Sequence, residues 1–599
     1  MRLTRTIKLT RRDLLRWGIV LGGATLLPRG RRVSRADDLP SSPFTTDFVE
    51  ELPIPPRAEP LRNPDGTLKR LDTLPDPKDC KNVDGTFAHH KHGPRFVPTD
   101  AEFFEIRERP VDHSFHPELP LNRLWGYNGM VPGPTFVATS VSFPPPGTTG
   151  HPQLVRFFND LPDNAPLGIG EPITAIHRHG GFQNPEDDGY PLDTFCFGES
   201  RDYYYPNRPD SGFRQNEHST NWYHDHAIDI TAENVYRGLA GFYIYQNELD
   251  TGDEATGLRL PSNKFKGGDV GPFDIGLVIQ DRLFDRDGHL VYNSFDHDGF
   301  LGDKFLVNGK IKPFLRVARR KYRFRVLNGS NARVYQFFLS PSPPGGQAPF
   351  LAIGTDSNLL EAPVEVESFR LAPAERVEVI IDFSQYPLTT RPTEVFLENR
   401  LQQTDGRKPD GLVSSGEKIL KFIVDRNEAD NSFKVRPTAL LPLEAGERPG
   451  DLRSLVKVRR TFEFERSDGA WVINGRFFDD QRVNTKPKVD RPEVGDRNPE
   501  IWTLKSGGGW VHPVHIHLSE FFILSRDGRP PRPLELEQGR KETVLIGGSV
   551  GETVEILIKF ADPREPSLQT AGTPLRYVFH CHNIEHEDMR MMDQFEVQT

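Results

Sequence analysis

Ten of the nineteen histidines fall into four tight clusters. These are His177-Arg178-His179, His224-Asp225-His226, His512-Pro513-Val514-His515-Ile516-His517, and His580-Cys581-His582 with His586 following. Neutral imidazole is a common metal ligand, and such a density suits copper, zinc or iron. On a β-strand, residues i and i+2 point to one face and i+1 to the other. Each His-x-His therefore aims two imidazoles at one place. Cys581 lies at odd offset from His580 and His582, so it faces away from them and belongs to a second site. By the same parity His512 faces away from His515 and His517, which makes it the partner of Cys581. His586 and Met591 follow Cys581 closely enough to close that site from the returning loop. Two imidazoles, a thiolate and a weak thioether are the ligand set of a blue-copper electron-transfer centre. Zinc also accepts Cys and His in a closed tetrahedron. A structural zinc, however, needs neither a thioether nor eight further paired histidines behind it. The bonded run His580-Cys581-His582 offers an electron a covalent path from the thiolate to the imidazoles beyond. The remaining histidines (His89, His90, His92, His113, His116, His151, His218, His289, His297) form no such pattern and read as surface or core residues.

The parity argument requires strands, and the chain supplies them. From about Asp100 onward, apolar segments of four to eight residues recur between Gly, Pro, Asp and Asn turns. Leu154–Phe158, Gly241–Tyr245 and Arg376–Phe383 are examples. Lys321–Leu327 alternates polar with apolar, which predicts a sheet with one wet face, and Val554–Phe560 does the same. Asp285-Arg286-Asp287-Gly288 is half of a calcium loop but lacks the remaining acidic ligands, so a hairpin turn is expected. Long amphipathic helices are hard to find, and 53 prolines and 52 glycines favour turns. The pattern is all-β, with enough strands in 599 residues for three sandwiches. The expected domains are 101–247, 271–425 and 455–599, joined by linkers at Asn247–Gly271 and Asp425–Leu455. Residues 37–100 read as an extended arm, and Gln183–His218 as an excursion over the first domain.

These motifs resemble those of the multicopper oxidases, and within that family the spore-coat laccases, bilirubin oxidases and phenoxazinone synthases. The resemblance runs from about Tyr127 to Asp593. Besides the four histidine clusters it rests on Tyr127–Pro134, Trp222-Tyr223-His224-Asp225-His226-Ala227 and Arg237–Gly241. It implies three consecutive cupredoxin-like Greek-key β-sandwich domains and four copper ions. A type 1 copper would be held by His512, Cys581 and His586 with Met591 axial, and a type 2 copper by His177 and His515. The type 3 pair would lie on His179, His224, His226, His517, His580 and His582. The implied reaction couples four one-electron oxidations of an organic donor (a phenol, aromatic amine or tetrapyrrole) to reduction of O2 to water. Asp188 and Glu587 match acidic residues that similar enzymes place near the O2 site as proton carriers. Metal-ion oxidation, of Mn(II) or Cu(I), is the alternative. Only five methionines occur, with no methionine-rich segment to bind Cu(I), which argues against that branch. Trp510 and Gly507–Gly509 could border the donor pocket, or Trp510 could pack in the core.

The formal net charge of −10 is mild for this length and points to no nucleic-acid partner. The first residues read as an address. Arg2, Arg5, Lys8, Arg11, Arg12 and Arg16 precede a short apolar stretch from Trp17 to Pro28, and Ser34-Arg35-Ala36 offers a cleavage site. Thr10–Leu15 resembles a twin-arginine signal, which predicts export to the periplasm or beyond with residues 1–36 removed. No segment is long and apolar enough to span a bilayer. A monomer is expected, with O2 and a small organic donor as its partners. Of three cysteines, Cys80 and Cys196 are candidates for a disulfide, and Cys581 is reserved for metal.

Overall fold

The computed structural model describes residues 39, 41–69, 101–140, 151–162, 168–207, 219–262, 273–443, 445–491, 495–563 and 575–598. The expected signal, Cys80, the cluster His89–His92 and His218 lie outside the described residues.

The chain is all-β. In the first sandwich, a sheet of Asn122–Tyr127, Glu102–His113, Gln153–Asn159 and Ser200–Tyr205 faces one of Phe136–Thr139, Ala240–Gln246, Thr220–Asp225 and Ile176–His179. Phe104, Trp125, Val155, Tyr203 and Tyr223 fill the space between them. The second sandwich spans strands from Asp274–Phe284 to Gly411–Arg426, around a core that includes Phe324, Phe337, Val379 and Phe422. The third runs from Val458–Ser467 to Met592–Glu596. Its four-stranded sheet orders Thr543–Ile546, His512–Ile516, Arg576–Cys581 and Met592–Glu596. The arm at 41–69 straps the first two sandwiches, with backbone bridges from Glu51 to Phe314 and from Arg57 to Thr135.

Most of the strands read from the sequence are present, among them Gln153–Asn159, Ala240–Gln246 and Arg376–Asp382. The hairpin at Asp285–Gly288 is present as well. The Asp285 side chain accepts the backbone N–H of Asp287 and of His289, and Gly288 takes the left-handed conformation at φ +83°.

Three expectations fail, the wet face of Val554–Phe560 among them: Glu555 is half-buried there, while Leu557 and Lys559 are buried and Lys559 pairs with Asp490 at 3.3 Å. The polar face of Lys321–Asn328 is not wet: Arg323 and Arg325 are buried. Arg323 pairs with Asp250 at 2.7 Å and with Glu378, and Arg325 pairs with Asp274 at 2.8 Å and donates to Thr220 of the first sandwich at 2.9 Å. Alternation reported polarity correctly, but a neighbouring sandwich covers the polar face and its charges are neutralised in pairs. Nor is the segment from Gln183 simply an excursion over the first sandwich. Its described part, through Asn207, is largely buried, and Ser200–Tyr205 pairs with Gln153–Asn159 as a strand of the first sheet. Cys196, in the same segment, is disulfide-bonded, whereas Cys581 is a free, buried thiol.

Candidate metal centre

Two pairs of neighbouring strands build the larger cluster. In the first sandwich Ile176–His179 runs antiparallel to Thr220–Asp225, which sets His177 opposite His224. In the third, His512–Ile516 runs antiparallel to Arg576–Cys581, which sets His515 opposite His580 and Val514 opposite Cys581. The two sandwiches meet so that these histidines interleave. His177 stacks on His517 with ring centroids 3.9 Å apart, and His179 on His515 at 3.7 Å. A half-buried clamp helps hold that junction: Asp588 accepts the backbone N–H of Thr231 at 2.9 Å and of Ala232 at 2.8 Å.

Eight histidines gather there, in three groups whose candidate ligand atoms lie within 4.8 Å of one another. The groups are His177, His515 and His517; His179, His224 and His582; and His226, His517 and His580. All eight are buried. Most turn one ring nitrogen outward to an acceptor. His177 Nδ1 donates to the Asp188 carbonyl at 2.5 Å, His515 Nδ1 to the Glu542 carbonyl at 3.0 Å, and His224 Nδ1 to the Asp225 carbonyl at 2.7 Å. His517 Nδ1 meets the Asp188 carboxylate at 2.7 Å, and His580 Nδ1 the Glu587 carboxylate at 3.1 Å. A proton fixed on Nδ1 leaves Nε2 as a bare lone pair pointing inward. Those lone pairs converge: His226 and His517 each bring Nε2 to 3.3 Å from His580 Nε2, and His515 Nε2 lies 3.4 Å from His177 Nε2. His179 reverses the pattern, with Nε2 against Thr543 Oγ1 at 3.2 Å and Nδ1 left without a partner. Facing lone pairs repel unless a cation lies between them, so this donor set fits metal ions.

The electrostatics favour the same form. Burial, followed by the charges of neighbouring imidazoles, drives His177, His179, His515, His517 and His582 well below the usual histidine range. His224 falls to about 3 and His226 to about 4, again chiefly through burial. Neutral imidazole is the ligating form. The two carboxylates flanking the cluster diverge. Burial pushes Asp188 up to about 8, against the pull of the Gln183 amide. Glu587 is equally buried, yet the His580 and His226 imidazoles beside it hold it down to about 2.

Cys581 faces the opposite side of its strand, away from His580 and His582. Its Sγ lies 3.4 Å from His512 Nδ1 and 3.4 Å from His586 Nδ1, and those two nitrogens are 3.3 Å apart. The centre of such a triangle is about 2 Å from each corner, a metal–ligand bond length. Burial raises the free Cys581 thiol and lowers His586, and it takes His512 down to about 3. Met591 is buried in the same apolar cluster, and its carbonyl accepts the Cys581 N–H at 3.1 Å. The short helix Ile584–Asp588 carries His586 back over the site.

The structure thus assembles the ten clustered histidines and Cys581 into two adjoining sites, sets Asp188 and Glu587 beside the larger one, and buries Met591 in the apolar cluster that also holds Cys581. Of the other histidines, the described ones join neither group. Sequence reasoning missed three contributors. Glu542 lies 3.4 Å from His179 and is anchored by Arg376. Trp471 stacks on His586 at 3.7 Å, and the Asp298 carbonyl meets His586 Nε2 at 3.2 Å. None of the three sits in a histidine motif, so no short-range signal marks them.

Sandwiches of this kind, with a cysteine–imidazole triangle one residue removed from a nest of facing imidazoles, define a metal-dependent redox protein. Sequence models described as multicopper oxidase match residues 113–249 and 456–599. The chain is 34% identical to a bilirubin oxidase of Albifimbria verrucaria over 82% of this chain and 76% of that one. It is 31% identical to a laccase of Bacillus subtilis (strain 168), over 88% of this chain and 98% of that one. Among solved structures, a laccase from Pediococcus acidilactici superposes with a TM-score of 0.67 at 25% identity, covering 94% of this chain and 95% of that one. McoA multicopper oxidase from Aquifex aeolicus gives a TM-score of 0.66 at 26% identity, over 84% and 97%. The chain belongs to the multicopper oxidase family and is a copper-dependent oxidoreductase with O2 as acceptor.

Proposed function

We propose that this oxidase is laccase-like, taking electrons singly from an organic donor (a phenol, aromatic amine or tetrapyrrole) and passing four of them to O2. The observation that carries the reading is the arrangement around Cys581. Its side chain completes the triangle with His512 and His586, while its covalent neighbours His580 and His582 enter the eight-histidine cluster.

In this reading His512, Cys581 and His586, with Met591 as a weak fourth ligand, would hold a type 1 copper. His177 and His515 hold a type 2 copper, and His179, His224, His226, His517, His580 and His582 hold a type 3 pair. Bound copper supplies one-electron redox chemistry at the first site and O2 reduction at the second. The protein's part is positional. Backbone carbonyls and carboxylates fix the imidazole tautomers, and burial keeps bulk water from the ligands. Asp188 and Glu587, each within hydrogen-bonding reach of a cluster imidazole, are the candidate proton carriers of this reading: Asp188, raised by burial, as the group that holds a proton, and Glu587, ionised, as an acceptor that passes one on.

The organic donor is supported by relatives named bilirubin oxidase and laccase, and by the absence of a methionine-rich segment. One observation bears on the metal-ion alternative. Asp296, on the loop over His586, is raised to about 6 by burial and by the charges of Asp298 and Asp405. Asp298, however, is paired with Arg466 at 2.5 Å and Arg407 at 3.7 Å. Among the described residues, no further group of convergent ligand atoms forms there. The test is O2 uptake by the copper-loaded protein across phenols, bilirubin, Mn(II) and Cu(I). Fastest uptake with an organic donor is expected, and a preference for Mn(II) or Cu(I) would overturn the reading. Export is part of the same proposal and rests on the sequence of residues 1–36. Replacing Arg11 and Arg12 with lysine should hold the protein in the cytoplasm.

A further inference from the structure

His586 presents no surface to a donor. The imidazole is fully buried. One face is covered by the Trp471 indole, 3.7 Å away between centroids and 25° from parallel. The Nε2 edge is closed by the Asp298 carbonyl and the Asn583 side-chain amide, each at 3.2 Å. His512 is equally buried, and Trp471 packs edge-on to it at 5.8 Å. A donor outside the protein touches whatever covers these imidazoles, not the imidazoles themselves.

Trp471 is that cover, and it is held in place. Its Nε1 donates to the His297 carbonyl at 2.8 Å, so the loop that closes His586 also fixes the indole. Trp510, partly buried, packs edge-on against Trp471 at 5.1 Å. The Arg466 guanidinium lies 5.2 Å over Trp471 and 5.5 Å over Trp510, and Arg407 lies 5.1 Å over Trp510. Asp298 pairs with both arginines. A continuous aromatic path thus runs inward from the solvent-reaching Trp510 edge through Trp471 to His586, clamped by cation–π contacts.

We propose that Trp471 is the bridge through which donor electrons reach His586, the donor docking on the outer surface formed by Trp510 and Arg466. This rests on the reading of His586 as a ligand of the electron-accepting copper. In each transfer a phenolic donor loses one electron and its hydroxyl proton. The proton passes to water, and the electron crosses the indole to the copper held by His586, which goes from Cu(II) to Cu(I). The indole is unchanged afterwards. Stacked π-systems in van der Waals contact couple electronically, as a saturated side chain in the same place would not. Trp471 therefore sets the rate of electron entry without binding the metal.

The test uses the full copper-loaded chain with W471F and W471L. Three quantities are read: the thiolate–copper visible absorption, the reduction potential of that site, and the anaerobic bleaching of the absorption by a phenol in single turnover. Both variants should keep the absorption and the potential. Bleaching should slow in the order Trp, Phe, Leu, with the leucine variant down on the order of tenfold. A leucine variant that bleaches at the parent rate would overturn the proposal. So would loss of the absorption in both variants, which would make Trp471 a packing residue only. Failure of the underlying site reading looks different, because the parent protein would then lack the absorption altogether.

Discussion

The Asp188 carboxylate meets His517 Nδ1 at 2.7 Å across a sequence separation of 329 residues, joining the first sandwich to the third at the edge of the histidine cluster. The same residue's carbonyl holds His177 at 2.5 Å. Asp188→Asn keeps an acceptor for His517 but removes the exchangeable proton. Copper content should stay near the parent's while turnover with O2 falls about 10–100-fold. Metal analysis beside O2 uptake separates the two; equal loss of both would reduce Asp188 to a structural role.

Cys581→Ser removes the thiolate from the triangle with His512 and His586. The visible thiolate–copper absorption and oxidase activity with organic donors should both vanish, while the eight-histidine cluster keeps its copper. Spectroscopy and metal counts check this, and retained oxidase activity would refute electron entry at Cys581.

Removing copper should destabilise the protein, because the lone pairs of His226, His517 and His580 then face one another at 3.3 Å with nothing between them. A ligand that binds only the folded state adds about 2.7 kcal/mol when present at a hundredfold excess over its Kd. Chelation should lower the melting temperature, and added Cu(II) should restore it. A melting curve indifferent to copper would argue against metal between these rings.

Asp274 tests the buried charge network. Burial would raise its carboxyl, but Arg325 and Arg323 outweigh that and hold it below the usual range. A depressed folded-state pKa stabilises at pH above the unfolded carboxylate value of about 3.9 and loses that contribution as pH falls through the folded value. Asp274→Asn should cost about 3–5 kcal/mol at neutral pH, since it leaves a buried guanidinium short of its partner. The gap in melting temperature between variant and parent should narrow below about pH 4. A gap that does not change with pH would remove Asp274 from the electrostatic account.

Much of the site was legible because its rules are local. Period-two geometry operates within three residues, so His580-Cys581-His582 could be split into two sites, and His512 separated from His515 and His517, without any tertiary information. The three-sandwich architecture followed from turn spacing and short apolar runs for the same reason. The wet face expected of Lys321–Leu327 failed because alternation states which residues are polar and is silent on what packs against them.

What the sequence determined by itself was the ligand inventory and its division between two faces of a strand, both consequences of covalent spacing. Only the tertiary structure decided how the histidines of the first sandwich interleave with those of the third, that Asp188 turns toward His517, and that Trp471 and Asp298 seal His586. Those contacts join residues far apart in the chain. They are fixed by how the three sandwiches bury their surfaces against one another, and no local spacing encodes that packing.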